Sequence, residues 1–265
     1  MKRILIIIAM ATLSLEALGQ DFTLQNLSES DYKNFVKDAS ANFNHTSVSP
    51  ASSLGSIFGF EVGLVGGITK TKNIDKLVKA QDSSASAEQL PHGEIIGLLT
   101  VPFGITGELG FVPKVGSDDF KFQSYTIGVK WTPTDFLLEL PLSLAIRGHY
   151  TKSKAEMKQT ISNVPTSFDY EQTGTSIGLV ASKNFVIVEP YIGINLVNGK
   201  GDMTVTGSTT VFNSSFTSSQ SASASVSGTS IQVGAELKLL IFKLGLEYAN
   251  VLSADQYSAK LALYF

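Results

Sequence analysis

The 265-residue chain contains no cysteine, one tryptophan and three histidines, and only 16% of its residues are charged. Without cysteine, a disulfide framework, a thiolate zinc site and cysteine lipidation are excluded. The net charge of -3 and the lack of a basic run argue against nucleic acid as a partner. An average soluble domain carries about 25% charged residues, so the shortage of charge is the feature to explain.

The only long apolar run of the chain is at its start. The basic residues Lys2 and Arg3 precede an apolar stretch over residues 4–15, and the small residues Ala17 and Gly19 follow. This order is typical of a cleaved secretory signal peptide and predicts residues 1–19 as the signal. A membrane anchor is the alternative, but the stretch is shorter than the ~20 residues that a spanning helix needs.

Most of the remaining chain alternates between apolar and polar residues with period two. Such alternation places successive side chains on opposite faces of a β-sheet. In the last segment, for example, Tyr257, Leu261 and Leu263 share one apolar face. Ten strands are predicted, near residues 56–69, 93–101, 104–112, 120–132, 136–152, 168–182, 185–198, 228–241, 243–250 and 256–265.

A soluble β-sandwich would also alternate, and two further observations favour a barrel in a membrane. The polar faces consist of small neutral residues with few charges, which suits a confined interior. The predicted links after even-numbered strands are tight, and those after odd-numbered strands are longer and polar, including a Ser/Thr-rich loop over 207–230 and a lysine-bearing loop over 70–92. This asymmetry is typical of outer-membrane barrels with both termini in the periplasm.

The predicted fold is therefore all-β, a transmembrane antiparallel β-barrel of about ten strands formed by residues 56–265. In lipid every backbone polar group must be paired within the protein, which a closed barrel achieves. Only half of the residues of each strand face lipid, so the barrel needs few charges and no long apolar run.

The end of the chain resembles the C-terminal assembly signal of bacterial outer-membrane proteins. Phe265 is an aromatic last residue, and apolar residues precede it at alternate positions, among them Leu263, Leu261 and Tyr257. The resemblance implies recognition by the barrel-assembly machinery and a place in the bacterial outer membrane, next to its lipid and lipopolysaccharide. An ordinary final strand that ends in phenylalanine is the alternative.

Residues 20–55 do not alternate and are predicted to form a helix followed by a plug-like segment. Ser28 and Asp31 have a spacing like that of a capping box, and an apolar helical face follows. The residues predicted to form the plug are Tyr32, Phe35, Val36, Phe43 and Pro50.

A helix and an extended segment ahead of a barrel resemble the N-terminal plug of the long-chain fatty-acid transporter family, with Ser49-Pro50-Ala51 in place of that family's Asn-Pro-Ala. The resemblance implies a segment that sits in the lumen and blocks it, although that family's barrel has more strands. A helix on the periplasmic rim is the alternative. Ten strands leave an interior between the filled core of eight strands and the water channel of sixteen.

Charged residues predicted to face the lumen are the candidate functional residues. They must be paired, as a structural polar core, or hydrated, in which case they select solutes by sign. Because acidic residues outnumber basic ones among them, an open pore is expected to favour cations. They are Glu61, Glu94, Glu108, Lys130, Glu139, Arg147, Glu189, Glu236, Lys238, Glu247 and Lys260.

No catalytic residue, metal site or cofactor is predicted. His45, His92 and His149 lie in different segments without metal-ligand spacing. A membrane hydrolase that uses His149 with Ser143 and Glu139 is an alternative. The predicted function is an outer-membrane channel or transporter for small or hydrophobic solutes, gated or blocked by the N-terminal segment. The alternative is a non-transporting barrel for adhesion or envelope integrity.

Overall fold

The computed structural model describes residues 28–55, 57–81, 83–136, 140–161, 164–211 and 214–265. The predicted signal peptide, residues 1–19, and the predicted lumen residue Glu139 lie outside the described residues. Helix α1 is Glu29–Asn42, and helix α2, Lys72–Gln81, joins the first two strands. The strands are β1 (Gly59–Lys70), β2 (Gln89–Val101), β3 (Ile105–Gly116), β4 (Phe120–Trp131), β5 (Ser143–Ile161), β6 (Val164–Ser182), β7 (Val188–Val211), β8 (Ser214–Leu239), β9 (Phe242–Val251) and β10 (Ala254–Tyr264).

The ten strands form a closed antiparallel barrel, which confirms the predicted fold class. Each strand pairs with its neighbours in sequence, and β1 pairs with β10 to close the ring. At this closing pair Leu64 lies opposite Leu261 and Ile68 lies opposite Tyr257. We call the end of the barrel that carries α2 the α2 end and the opposite end, at Phe265, the C-terminal end.

The barrel has apolar side chains on its outside and charged side chains on its inside. Along β9 the outward Leu246 is 69% exposed, whereas the neighbouring Glu247 is buried and faces inward. Soluble proteins show the reverse order, since they bury apolar residues and expose charges. Among the described helices, none is long and apolar enough to cross a membrane.

Several of the predicted links are wrong, and the links from β5 to β6 and from β7 to β8 have two residues each instead of the longer loops expected. Residues 132–142 separate β4 from β5, so Pro133-Thr134 is only part of a longer link and the strand expected from 136 starts at Ser143. Proline lacks the N–H that a strand ladder needs, and Pro133 and Pro141 keep this segment out of the sheet. The link between β9 and β10 was expected to be long but consists of Leu252 and Ser253, both with positive φ.

Four strands extend far beyond the others at the α2 end. β5 and β6 have 19 residues each, β7 has 24 and β8 has 26. A barrel strand needs about 9–11 residues to cross a bilayer, so these strands are longer than a membrane requires. The expectation of an exposed loop over 207–230 is therefore wrong, since most of that range is paired strand. Its threonine and valine residues suit a strand, although its serines resemble those of a loop.

Candidate functional site

The interior of the barrel is occupied by residues 43–55, which lead from α1 to β1 and which we call the strap. It enters at the α2 end and leaves at the C-terminal end, so Ser28 and Phe265 lie at opposite ends of the barrel. In this order the contacts between strap and wall are His45–Glu94, Thr46–Glu247, Ser49–Arg147, Ser49–Lys260, Pro50–Lys130, Ala51–Ser182, Ser52–Glu189, Ser53–Asp135 and Leu54–Thr100.

Helix α1 fills the α2 end of the lumen. Ser28 caps it, since the serine hydroxyl accepts a hydrogen bond from the Asp31 N–H at 3.1 Å. The buried Tyr32 donates its hydroxyl to the Gly201 carbonyl of β7 at 3.0 Å. Asp38 in turn accepts the N–H of Ile74 at 3.1 Å, at the first turn of α2. The two helices and the extended wall are thereby joined.

The structure places the five predicted plug residues inside the barrel. Tyr32, Val36 and Pro50 are buried. The Phe35 ring meets Tyr170 edge-on at 5.3 Å, and the Phe43 ring stacks on Phe122 at 5.1 Å.

Glycines in the wall provide the space that the strap and α1 occupy. A Cβ atom at Gly199 would lie 2.1 Å from the Ser40 Oγ, and one at Gly245 would lie 2.8 Å from a Val48 methyl group. Real Cβ atoms do not approach other heavy atoms so closely. The wall therefore accommodates the strap because these inward positions lack a side chain.

The most buried charges form a cluster of two carboxylates and two ammonium groups. Lys260 lies 2.7 Å from Glu61 and 2.5 Å from Glu236, and Lys243 lies 2.9 Å from Glu61 and 3.0 Å from Glu236. We call these side chains the four-charge cluster; it joins β1, β8, β9 and β10. Lys243 was missed by the sequence prediction, although period two along β9 places it on the same face as Glu247.

A second group of charges holds the strap backbone. Lys130 donates to the carbonyls of Pro50 and Ser52, both at 2.9 Å, and Arg147 donates to the Ser49 carbonyl at 3.0 Å. The Arg147 Nε also lies 3.4 Å from the Glu108 carboxylate. Two cations thus bind carbonyl oxygens of the strap, which are acceptors that any sequence would offer.

The remaining predicted lumen residues that the structure describes, Glu94, Glu189, Lys238 and Glu247, also face inward, but they do not form one site. Glu189 accepts from Lys238 at 2.7 Å near the C-terminal end. Glu247 accepts from Thr46 at 2.7 Å and from Tyr191 at 2.9 Å.

The predicted assembly residues lie on the outer face of β10 and at its end. Tyr257, Leu261, Leu263 and Phe265 are all exposed there.

The histidines lie inside the barrel, and the one histidine–carboxylate hydrogen bond among the described residues joins His45 to Glu94 at 2.7 Å. His149 contacts the His45 ring at 5.2 Å between centroids and does not meet Ser143, which donates to Asp135. The His92 Nε2 lies 3.0 Å from the Ser258 hydroxyl, but its other ring nitrogen faces the Thr69 hydroxyl instead of a carboxylate. Within the described part of the chain, no group of His, Asp or Glu residues is arranged to hold a metal ion.

Comparison with known proteins gives a family and a set of similar folds. A family model described as "Family of unknown function (DUF6588)" matches residues 3–265. Comparison of the sequence with curated proteins finds no match.

Among solved structures, the translocator domain of autotransporter NalP from Neisseria meningitidis is similar with a TM-score of 0.43 and 10% identity, over 90% of this chain and 99% of that one. The outer-membrane protease OmpT from Escherichia coli gives 0.37 and 12%, over 83% and 100%. Ail, the attachment invasion locus protein of Yersinia pestis, gives 0.32 and 11%, over 78% and 97%. These similarities concern the fold, and they do not show a likeness to the fatty-acid transporter family.

Proposed function

This chain belongs to the family of unknown function DUF6588, and we propose that it is a bacterial outer-membrane channel for small polar solutes that the strap holds closed. The observation that carries the proposal is the run of hydrogen bonds between strap and wall, which accompany smaller apolar contacts of Val48 and Ala51.

The apolar outer surface supports a place in a membrane. Ile177, Leu196, Leu246 and Leu261 are each more than half exposed, on four different strands. A continuous apolar surface of this kind is unfavourable in water at about 25 cal/mol per Å². The predicted signal peptide and the assembly signal at Phe265 favour the bacterial outer membrane. Lipid and lipopolysaccharide would then surround the apolar outer surface, and the barrel-assembly machinery would insert the barrel into the membrane.

The long strands at the α2 end support an orientation with that end outward, because outer-membrane barrels carry their larger connections on the cell surface. The C-terminal end then faces the periplasm, where Phe265 agrees with the predicted position of the C-terminus. The predicted periplasmic position of the N-terminus concerns residues outside the described range, but Ser28 lies at the outward end in this orientation.

A polar contact between strap and wall suits a gate. A buried hydrogen bond contributes about 0.5–1.5 kcal/mol net, because water replaces it when it breaks. If the strap moves, water can hydrate both Lys130 and the carbonyls of Pro50 and Ser52. An apolar filler would have no such replacement, and its removal would cost the full hydrophobic term.

The lumen exposed by that movement would carry both signs of charge. The four-charge cluster is balanced, and Lys130 and Arg147 oppose Glu108 and Glu247. With Lys243 included, the acidic excess expected from the sequence becomes small. Small polar solutes of either sign therefore fit this lining better than hydrophobic solutes do, and strong cation selectivity is not expected.

A disulfide that locks the strap to the wall tests the gate. The chain has no cysteine, and Ala51 of the strap packs in one buried cluster with Ala145 of β5. The Ala51→Cys/Ala145→Cys variant, oxidised in a planar bilayer, is expected to carry no current, and reduction is expected to restore openings like those of the unmodified protein. The single variant Ala145→Cys is the control. No current from the reduced and unmodified proteins, with folding shown by heat-modifiable gel mobility, would contradict the proposal.

A second candidate function is a surface barrel without transport. The observation in its favour is the projection of β5–β8 beyond the length that a membrane needs. Shortening the β7–β8 hairpin by removing residues 203–222 is expected to abolish surface adhesion or envelope integrity in this case and to leave conductance unchanged. If the protein is a channel, its conductance should persist after the hairpin is shortened. The Ala51→Cys/Ala145→Cys disulfide should still block that conductance.

A further inference from the structure

The extended part of β8 has one edge without a partner. β9 pairs with β8 only from Ser230 to Leu239, whereas β8 continues to Ser214. The last contact on that side is the Leu252 N–H, which donates to the Thr229 carbonyl at 3.0 Å. Backbone groups that point to one side recur at every second residue of an antiparallel strand. Those of Ser219, Ser221, Ser223, Ser225 and Ser227 therefore point away from β7 toward the open side.

This edge lacks the features with which natural sheets protect themselves. Over residues 219–229 the sequence contains no charged residue and no proline. Exposed edges usually carry lysine, proline or a bulge, because unpaired N–H and C=O groups accept a further strand. Within the described residues no backbone hydrogen bond covers the edge between Ser219 and Ser227. An unprotected edge of this length is typical of a surface that receives another strand.

A cleft of about 460 Å³ lies between the edge and helix α1. Ser225–Ser227 of β8 line this cleft together with Leu252 and with Lys33, Asn34 and Lys37 of α1. Neither lysine has an ion pair among the described residues, and the Lys37 Nζ has only a long contact of 3.5 Å to the Ser253 hydroxyl. Two lysines four residues apart on a helix repel each other, so the arrangement favours a bound anion.

The neighbouring groups keep this cleft positive. A smaller cleft of about 120 Å³ shares Lys37 and adds Lys70 and Lys72. The carboxylates of Asp38 and Asp255 also line this smaller cleft and offset part of its charge, so its three lysines leave one positive charge in excess, whereas no carboxylate lines the larger cleft. An occupant of the edge therefore meets Lys33 and Lys37 where it passes Ser225–Ser227.

We infer that the β8 edge, Ser219–Ser227, binds an extended acidic peptide segment of a partner protein, which adds a strand to the sheet and places its carboxylates against Lys33 and Lys37. Main-chain hydrogen bonds provide the affinity and the lysines select acidic side chains. A second copy of this chain fits less well. In two barrels inserted alike in one membrane, the two β8 strands would run in the same direction. Each copy would also bring Lys33 and Lys37 to the contact, where like charges repel. This binding surface is independent of the proposed gate.

The test measures binding of a fluorescent nine-residue peptide, Thr-Glu-Val-Glu-Thr-Glu-Val-Glu-Thr, to the full-length protein in detergent by anisotropy. The same peptide with lysine in place of each glutamate is the control. The acidic peptide is expected to bind at least tenfold more tightly than the control. The Lys33→Glu/Lys37→Glu variant is expected to reverse that order.

A proline on the edge distinguishes strand addition from simple charge attraction. Ser225→Pro removes an N–H that points away from β7, so the β7–β8 ladder is kept and binding of the acidic peptide should fall at least tenfold. Ser227→Pro is the second variant if the first does not fold, as judged by heat-modifiable gel mobility. Unchanged binding in the folded proline variant, or equal binding of the two peptides, overturns the inference. Self-association that the proline abolishes, without peptide binding, assigns the edge to a second copy and overturns it as well.

Discussion

Loss of one lysine from the four-charge cluster should strongly destabilise the barrel. Lys260 makes contacts of 2.7 Å with Glu61 and 2.5 Å with Glu236, and all three side chains are fully buried. At an effective dielectric constant of 20, the Coulomb attraction between two unit charges 2.7 Å apart is about 6 kcal/mol before the cost of desolvation is subtracted. Lys260→Met leaves two carboxylates with Lys243 alone. Breaking a buried pair in this way typically costs about 3–5 kcal/mol.

The assay is urea unfolding in detergent, followed by the shift between folded and unfolded mobility on gels. Lys260→Met should lower the free energy of unfolding by about 3–5 kcal/mol. Lys260→Met/Glu61→Gln leaves the balanced pair of Glu236 and Lys243, so it should be more stable than Lys260→Met. Lys79→Met, which removes an exposed ion pair on α2, is the control and should have no measurable effect.

Two outcomes would refute this reasoning. If Lys260→Met behaves like Lys79→Met, the cluster is hydrated and its charges do not depend on one another. If the double variant is destabilised by the sum of the single variants, the two groups are not coupled. Either result would also remove the argument that the charges of the four-charge cluster stabilise one another.

Three further predictions concern the glycines of the wall, the apolar outer surface and helix α2. Gly199→Ala should destabilise the protein by about 1–3 kcal/mol because its methyl group meets Ser40, whereas Gly97→Ala, with no atom within 4 Å, should be neutral in the same urea assay. Leu246→Arg, on the apolar outer surface, should lower the free energy of unfolding in lipid vesicles by about 2–4 kcal/mol. Leu240→Arg, on the link at the C-terminal end where Leu240 is 93% exposed, should lower it by about 0–1 kcal/mol. Equal effects would argue against a bilayer around the apolar outer surface. The hydrogen bond from Lys79 holds the pKa of Asp75 below its ordinary value, against the opposing effect of burial, and the Ala87 N–H adds to the lowering. Asp75 therefore anchors Ala87 at neutral pH, and the anchor is lost as the pH falls through that lowered pKa. The protection factor of the Ala87 amide, taken relative to its intrinsic exchange rate at each pH, should then fall at low pH in the unmodified protein and be low at every pH in Asp75→Ala, which has no acceptor.

The strand count and the inward faces could be predicted from sequence because period two is a local property. Glu61, Glu236 and Lys260 follow from the alternation of their own strands. Their pairing does not, because it depends on how β8, β9 and β10 align across the wall.

Other features depended on signals that the sequence gives ambiguously. The Ser/Thr-rich part of β7 and β8 has the composition of a loop, and only the ladder to its neighbour makes it a strand. The strap is irregular, and its backbone carbonyls bind Lys130 and Arg147. No residue type marks a carbonyl as a ligand, so these contacts could not be read from the chain.

The path of the strap has a consequence for how the protein is made. The β1–β10 contact joins residues some two hundred positions apart, a separation that makes ring closure a slow and late event. Lys260 binds both Glu61 across that closing pair and Ser49 of the strap. Lys260 thereby ties the strap to the strand pair that closes the ring. Once β1 and β10 are paired, the strap can leave the lumen only along the barrel axis.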